Sequence, residues 1–221
     1  MGCAQTSDCY RFRVTTIVIA TRNAHKVGEI RAILGGASQI LTLNDFPDPP
    51  KVVEDAGTFA GNATKKAVEL ARWLAVTFPP TRHSSPLFVL ADDSGLEVDA
   101  LGGAPGVLSA RYCGRHGDDL ANNRLLIEKL RGVENRTARF VCAIALVEGA
   151  DVRGVYRGAV EGVIVDQPRG AGGFGYDPHF YYPPFGCTFG EAGAERKFSV
   201  SHRGQALRTM LAALTGPCGA G

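Results

Sequence analysis

The feature that most constrains the fold is a run of β-branched residues that leads through a polar turn into a helix. Residues 14–20 are dominated by Val, Ile and Thr, which is typical of a buried strand. Residues 21–23 are polar, and apolar residues then recur at helical spacing until a Gly-Gly pair. A strand that passes into a helix in this way predicts an α/β fold.

The rest of the chain interrupts this alternation. Two long apolar segments follow one another around Glu148-Gly149-Ala150-Asp151 and predict a hairpin. The predicted elements are a helix from Thr58 to about Ala75, a strand over 86–91, a helix over 118–130, strands over 138–147 and 152–165, an irregular segment over 168–193, and a last helix capped by Ser201. A mixed sheet flanked by helices is therefore expected rather than an all-parallel one.

Composition excludes several classes of protein. Apolar residues are 45% of the 221 and charged residues 21%, which are ordinary values for a globular chain. The formal net charge is only +2, so no nucleic-acid partner is expected. No apolar run reaches the roughly 20 residues that span a bilayer, and no secretory signal is found, so no membrane partner is expected. Six scattered cysteines without a CxxC pair favour a reducing, cytoplasmic setting.

The two ends of the chain are expected to lie outside the folded part. Residues 1–13 form a predicted disordered extension, residues 14–216 a single domain, and residues 217–221 a flexible tail. Met1-Gly2-Cys3 also fits the loose N-myristoylation pattern, with Cys3 as a second lipid site. Because that pattern is short and often matched by chance, a plain extension is the favoured interpretation.

The first segment that carries chemistry is Thr21-Arg22-Asn23-Ala24-His25-Lys26. It lies where the strand passes into the helix, and free backbone N–H groups at a helix start favour a phosphate. Lys26 adds a positive charge. The alternative is that Asn23 simply caps the helix while Lys26 is solvated. The Walker A pattern is absent.

The second feature is a pair of acidic dipeptides. Glu54-Asp55 precedes the second helix, and Asp92-Asp93 is predicted to end a buried strand. Mg²⁺ usually takes one or two carboxylates together with water and substrate phosphates. For Glu54-Asp55 the alternative is an ordinary acidic helix start, favoured by the helix dipole. The strand-end position makes Asp92-Asp93 the stronger candidate.

The third feature is glycine-rich and runs from Arg169 to Pro178. It satisfies GxGxxG, but the following residues, rich in proline and aromatics, cannot form the helix that a dinucleotide fingerprint requires. What remains is a backbone that carries Phe174, Tyr176 and Asp177. An aromatic face can stack on a base, and a carboxylate can accept base N–H groups.

The fourth feature clusters donors at the start of the last helix: Lys197, Ser201, His202 and Arg203. They are suited to base carbonyl oxygens or to phosphate. The alternative is a capping serine beside exposed side chains.

Taken together, these segments resemble the inosine triphosphate pyrophosphatase family, whose members are Ham1-like enzymes that act on non-standard purine nucleoside triphosphates. The matching stretches are ATRNAHKVGEIRAIL, EDAGTFAGNATKKA, ADDSGLEVDALGGAPGVLSARYCG, GGFGYDPHF and KFSVSHRGQAL. The resemblance implies an elongated α/β fold of two lobes with a deep cleft between them, a homodimer, and a requirement for Mg²⁺. It implies hydrolysis of ITP, dITP and XTP to the monophosphate and pyrophosphate.

The resemblance also implies roles for individual residues. Glu54 and Asp93 match metal ligands, and Asp93 also matches the proton acceptor. The substrate contacts that it implies are Thr21, Arg22, Asn23, Ala24, His25 and Lys26 for the triphosphate, Lys66 facing the phosphates, Ser94, the base-pocket residues Phe174, Gly175, Tyr176 and Asp177, and Lys197, His202 and Arg203. Two departures, Arg196 and Phe198, affect the local shape near the base.

Three questions stay open at this level. Asp93 acts either as a base or only as a metal ligand, with a metal-activated water as the rival. The purine 6-carbonyl is expected to accept from Arg203 or from a backbone N–H. The rival functions are a pyrophosphatase for other modified nucleotides, such as methylated pyrimidines, and a nucleotide-binding module without catalysis.

Overall fold

A computed structural model describes residues 16–35, 39–79 and 87–215 of the chain. The opening unit is confirmed: β1 (Thr16–Ile19) leads into α1 (Ala24–Leu34), and the Asn23 side chain caps the helix by accepting from the Lys26 backbone N–H. The further elements are β2 (Gln39–Thr42), α2 (Phe59–Thr77), β3 (Leu87–Val98), α3 (Asp119–Lys129), β4 (Thr137–Glu148), β5 (Asp151–Ile164), β6 (Phe180–Tyr182), β7 (Cys187–Thr188), α4 (Ala194–Val200) and α5 (His202–Thr215).

The seven strands form one mixed sheet in the order β2-β1-β3-β4-β5-β6-β7. β1 pairs in parallel with β2 and β3, and every later pair is antiparallel. The predicted hairpin is confirmed, since β4 and β5 pair along nearly their whole length around a two-residue turn. The α/β class and the mixed sheet are thus as the sequence predicts.

The structure departs from the predicted elements at several places. The strand expected to end at Ala91 continues to Val98, so Asp92 and Asp93 lie inside β3 and not at its end. The segment 168–193, expected to be irregular, contains the short strands β6 and β7. Ser201 does cap the last helix, because its hydroxyl accepts from the Gly204 N–H, but α4 directly before it was not predicted.

The core follows from the alternation of side chains along the strands. Val89 and Ala91 face α2, whose Ala63, Ala67 and Leu70 cover that side of the sheet. Leu90 faces the opposite side, where α1 and α5 pack with Ile30 and Leu207 among others. A third cluster, around β6, β7 and α3, includes Leu126, Phe180 and Phe189. Helices on both faces therefore bury the middle of the sheet.

No helix within the described ranges is long and apolar enough to cross a membrane. Cys113, Cys142 and Cys187, the cysteines in those ranges, are free thiols. The lipidation pattern at Met1–Cys3, the extension over 1–13 and the tail over 217–221 lie outside the described residues.

Two leucines of α3 provide a test of the third cluster. Leu126 is fully buried, whereas Leu120 is 82% exposed. Leu126→Ala is expected to lower the free energy of unfolding by about 3 kcal/mol, because it leaves a cavity. Leu120→Ala, on the same helix, is expected to change it by less than about 0.5 kcal/mol. Urea denaturation measures both, and equal losses would show that α3 does not pack as described.

Candidate active site

A cavity of about 680 Å³ opens between α1, α2, β3 and the loop that precedes β6. It brings together all the residues to which the family resemblance gives a role, but not Asp55, Asp92 or Ser201, which the sequence patterns also indicated. The residues brought together are Thr21, Arg22, Asn23, Ala24, His25, Lys26, Glu54, Lys66, Asp93, Ser94, Phe174, Gly175, Tyr176, Asp177, Lys197, His202 and Arg203. Residues far apart in sequence thus line one space, which is large enough for a nucleotide-sized ligand.

The turn before α1 is held by its own side chains. Thr21 Oγ1 accepts from the Asn23 N–H at 3.2 Å, and Asn23 Oδ1 accepts from the Lys26 N–H at 3.1 Å. The capping interpretation of Asn23 is therefore confirmed. The alternative of a solvated Lys26 is wrong, because its Nζ lies 2.5 Å from Asp92 Oδ1.

The neighbouring carboxylates Asp92 and Asp93 point to opposite faces of β3, as successive strand residues do. Asp92 faces α1 and α5, where Arg203 Nε donates to its Oδ2 at 2.9 Å and the Cys142 thiol donates to the same oxygen. Burial raises the pKa of Asp92, but the charges of Arg203 and Lys26 outweigh it and hold that pKa well below its ordinary value. Asp92 is a fixed anion that balances buried cations.

Asp93 has a different environment, on the face covered by α2. Its Oδ2 accepts from Asn62 Nδ2 at 3.0 Å, and its Oδ1 lies 3.5 Å from Lys66 Nζ. Burial raises the pKa of Asp93 above its ordinary value, even though Lys66 and Lys26 oppose this. Its carboxylate lines the cavity and is held in one orientation, which suits a group that accepts a proton.

Lys66 lies between the two predicted metal ligands. Its Nζ donates to Glu54 Oε1 at 2.8 Å and approaches Asp93 as well. Asp55, the other acid of that dipeptide, pairs with Lys65 and is absent from the cavity wall. The described residues contain no cluster of three or more His, Cys, Asp or Glu that would hold a metal by itself. Two carboxylates facing a phosphate-sized space nevertheless match how Mg²⁺ is bound together with substrate phosphates.

Glu29 is a functional candidate that sequence reasoning missed. It lies in α1, is 6% exposed, and pairs with both Arg203 and Lys197. Lys197 Nζ in turn lies 2.6 Å from Asp177 Oδ2. An acidic residue one turn after Lys26 and next to buried Ile30 was the available signal. A buried ionic network therefore joins α1, β3, α4, α5 and the loop before β6.

The loop before β6 forms the aromatic end of the cavity. Asp177 Oδ2 accepts from the Phe174 backbone N–H at 2.8 Å, so the loop is closed by its own carboxylate. Tyr176 packs into the third core cluster and donates to the Ser109 carbonyl at 2.9 Å. Phe174 stays half-buried with its ring in the cavity wall. As predicted, the glycines do not pass directly into an α-helix, since β6 is the next element.

His202, at the start of α5, is buried and stacks on Phe140 with ring centroids 5.0 Å apart. Burial, followed by the charges of Arg203 and Lys197, lowers the pKa of His202 well below its ordinary value, so the ring is neutral at pH 7. Its Nδ1 is buried without a hydrogen-bond partner among the described residues. Because that atom has almost no accessible surface, it can contact a ligand atom only after the side chain turns.

The two aspartates of β3 allow a stability test. Asp92→Asn is expected to lower the free energy of unfolding by about 3 kcal/mol at pH 7, because it leaves buried cations uncompensated. Asp93→Asn is expected to stay within about 1 kcal/mol of wild type, since burial already disfavours its charge. Urea titrations measure both values, and equal losses would contradict the opposite roles of the two carboxylates.

The effect of Asp92→Asn is also expected to depend on pH. The pKa of Asp92 is lowered on folding, so its stabilisation is complete above pH of about 4 and is lost as pH falls through the lower folded-state pKa. The gap between wild type and Asp92→Asn should therefore shrink in acid.

Comparison with known proteins finds similar sequences over most of the chain. The dITP/XTP pyrophosphatase of Geobacter sulfurreducens is 50% identical over 197 residues, which cover 88% of this chain and 94% of that protein. The enzyme of the same name from an Exiguobacterium species is 47% identical, over 89% of this chain and 95% of its own.

Solved structures resemble the fold. The Ham1 protein of Staphylococcus aureus superposes with a TM-score of 0.79 at 36% identity, over 91% of this chain and 98% of its own. A nucleoside-triphosphatase, or dITP/XTP pyrophosphatase, from Mycobacterium abscessus gives a TM-score of 0.68 at 41% identity, over 89% of this chain and 98% of its own. The sequence pattern of the Ham1 family matches residues 17–213. The chain therefore belongs to the Ham1 family.

Proposed function

We propose that this chain hydrolyses non-standard purine nucleoside triphosphates, namely ITP, dITP and XTP, to the nucleoside monophosphate and pyrophosphate. The bond that breaks joins the α and β phosphates, and water supplies the new oxygen on the α-phosphorus. Relatives named dITP/XTP pyrophosphatase, similar over most of their length, support the substrate class. Removal of these nucleotides from the pool is the consequence for the cell.

The observation that carries this proposal is the position of Lys66 between Glu54 and Asp93 in the wall of a cavity that also contains Phe174. A lysine and two carboxylates that can hold Mg²⁺ suit the phosphates of a nucleotide, and an aromatic ring in the cavity wall suits its base. A purely structural ion pair would not need to line a nucleotide-sized cavity.

We assign Glu54 and Asp93 as the residues that would hold Mg²⁺, because they are the carboxylates that face the cavity beside Lys66. When bound, the ion supplies positive charge that stabilises the phosphates as charge develops on them. Lys26 and Lys66 add charge of the same sign from the protein. Asp92 already holds Lys26 in place. Lys66 donates to Glu54, an assigned metal ligand, and would turn from it towards the phosphates when the ion binds.

We assign Asp93 as the group that accepts the proton of the attacking water. Asn62 holds one of its oxygens, while the Ser94 backbone N–H donates to the other at 3.1 Å. Two donors therefore fix the orientation of the carboxylate, which is the property that supports its role as a general base.

Base selection is assigned to Lys197 and His202. Arg203, expected from the sequence to read the purine 6-carbonyl, donates to Asp92, Glu29 and Ser94. These bonds use three of its five N–H groups and fix the guanidinium, so Arg203 stays a further candidate. Lys197 has one ammonium N–H beyond its bonds to Glu29 and Asp177, and His202 has the unpartnered Nδ1. Lys197, and His202 in the tautomer with the proton on Nδ1, match the carbonyl oxygens of hypoxanthine and xanthine, whereas adenine presents an amine.

The remaining assignments rest on the family resemblance. We propose that residues 14–216 form one domain, that the cleft lies between two lobes, and that the chain acts as a cytoplasmic homodimer without a nucleic-acid or membrane partner. The family match over residues 17–213 supports a single domain. The free thiols of Cys113, Cys142 and Cys187 fit a reducing compartment.

The direct test is pyrophosphate release from ITP, dITP, XTP, GTP and ATP at equal concentration, with Mg²⁺ and with excess EDTA. Release from ITP, dITP and XTP is expected to exceed release from ATP by at least about tenfold, since a missing hydrogen bond leaves a buried donor unpaired. EDTA is expected to abolish it. Equal release from all five would contradict the assigned base selection, and no release from any would leave a nucleotide-binding module.

A second test separates Asp93 from other acids near the cavity. Asp93→Asn is expected to lower kcat for ITP by at least about a hundredfold, because it removes the proton acceptor. Asp55→Asn is the matched control, since Asp55 is an exposed acid next to Glu54 that pairs with Lys65. It should retain activity within about twofold. Steady-state kinetics measure both, and an active Asp93→Asn enzyme would remove Asp93 from the mechanism.

A further inference from the structure

The imidazole ring of His25 lies flat against the phenyl ring of Phe174. Their centroids are 5.1 Å apart and their planes differ by 11°. His25 stands in the first turn of α1, and Phe174 belongs to the glycine-rich loop before β6. Both residues line the cavity. A stacked aromatic pair thus spans the cavity between two elements that are distant in sequence.

This pair does not belong to the core. His25 is exposed, and neither ring is part of the three apolar clusters. The chain contains a second stacked pair of the same types, Phe140 with His202, and there both rings are buried. Burial explains the contact of Phe140 with His202, but it does not explain the contact of His25 with Phe174.

His25 is the movable neighbour of the Phe174 ring. Lys197 Nζ and Arg203 Cζ also lie near that ring, 5.0 and 5.9 Å from its centroid. Both of these side chains are buried and fixed by ion pairs with Glu29. A base that stacks on Phe174 must therefore displace His25 or insert beside it, because the other two neighbours cannot move without leaving buried charges unpaired.

We propose that His25 is a purine-stacking residue, which holds the base of the substrate against Phe174 so that the base lies between the two rings. This inference rests on the proposed function and adds a residue to base recognition. It assigns His25 to the base, whereas its position in the sequence indicated the triphosphate. In the free protein the imidazole covers the aromatic face that the purine occupies in the complex.

Only a small movement is needed to place a purine between the rings of His25 and Phe174. Two aromatic contacts of roughly 3.5 Å each require ring centroids at least about 7 Å apart, so the centroids, now 5.1 Å apart, must separate by at least about 2 Å. An exposed side chain such as that of His25 reorients within nanoseconds. Alanine in place of a ring that stacks on a base weakens binding by about fivefold to a hundredfold, so a change of about tenfold is expected here.

The experiment compares wild type with His25→Ala and His25→Phe. Calorimetry gives the Kd of inosine 5′-monophosphate, which contains the base and one phosphate, and of ribose 5-phosphate, which lacks the base. Steady-state kinetics give kcat and KM for ITP. His25→Phe is the matched control, because it keeps a flat ring and loses the imidazole nitrogens.

His25→Ala is expected to raise the Kd of inosine 5′-monophosphate and the KM of ITP about tenfold. The Kd of ribose 5-phosphate and kcat should stay within about twofold, and His25→Phe should stay within about threefold of wild type throughout. The free energy of unfolding should not change, because His25 is exposed.

Four results would overturn the inference. They are unchanged binding in His25→Ala, an equal loss for ribose 5-phosphate (which would assign His25 to phosphate), a loss in His25→Phe as large as in His25→Ala, and no binding of the monophosphate by wild type. Wild type that binds the monophosphate through His25 but releases no pyrophosphate would instead overturn the proposed function and leave this inference standing.

Discussion

The buried guanidinium of Arg203 is the group on which the geometry of the cavity depends. It is 1% exposed, and it pairs with Glu29 on α1 and Asp92 on β3 while its own backbone begins α5. A charge at this depth is tolerated only with good partners, and loss of one partner leaves the other charges uncompensated. Packing of α1 and α5 on the sheet is thus coupled to one set of ion pairs.

The same network extends to the base end of the cavity. Glu29 also pairs with Lys197, and Lys197 pairs with Asp177, whose carboxylate closes the loop that carries Phe174. The position of the aromatic ring is therefore fixed by charges that reach from α1 through α4. On the other face of β3, Asp93 and Lys66 belong to a separate group with Glu54. The ion pairs that fix the shape of the cavity therefore contact one face of β3, and the residues assigned to catalysis lie on the other.

Local patterns predicted much of this structure. The caps Asn23 and Thr58, and the apolar spacing after them, were sufficient to place α1 and α2. The continuation of β3 beyond Ala91 was not predictable in this way, because two acids inside a strand are stable only when distant residues satisfy them. Arg203, which does so for Asp92, lies 111 positions later in the chain. Glu29 was missed for the same reason, since its partners come from α4 and α5.

The long ladder between β3 and β4 also determines which face of the sheet each of the two aspartates occupies. Eleven consecutive pairs, from Phe88 to Val98, fix the register of β3. A slip by one residue turns every side chain of a strand to the opposite face. A slip in one direction would place Asp93 among the buried cations, and a slip in the other direction would place Asp92 beside Lys66. Either slip would turn Leu90 and Val89 away from the surfaces they fill. The apolar side chains of β3 thus protect the placement of the carboxylates, because a misregistered strand that moved one of them to the other face would also lose its core.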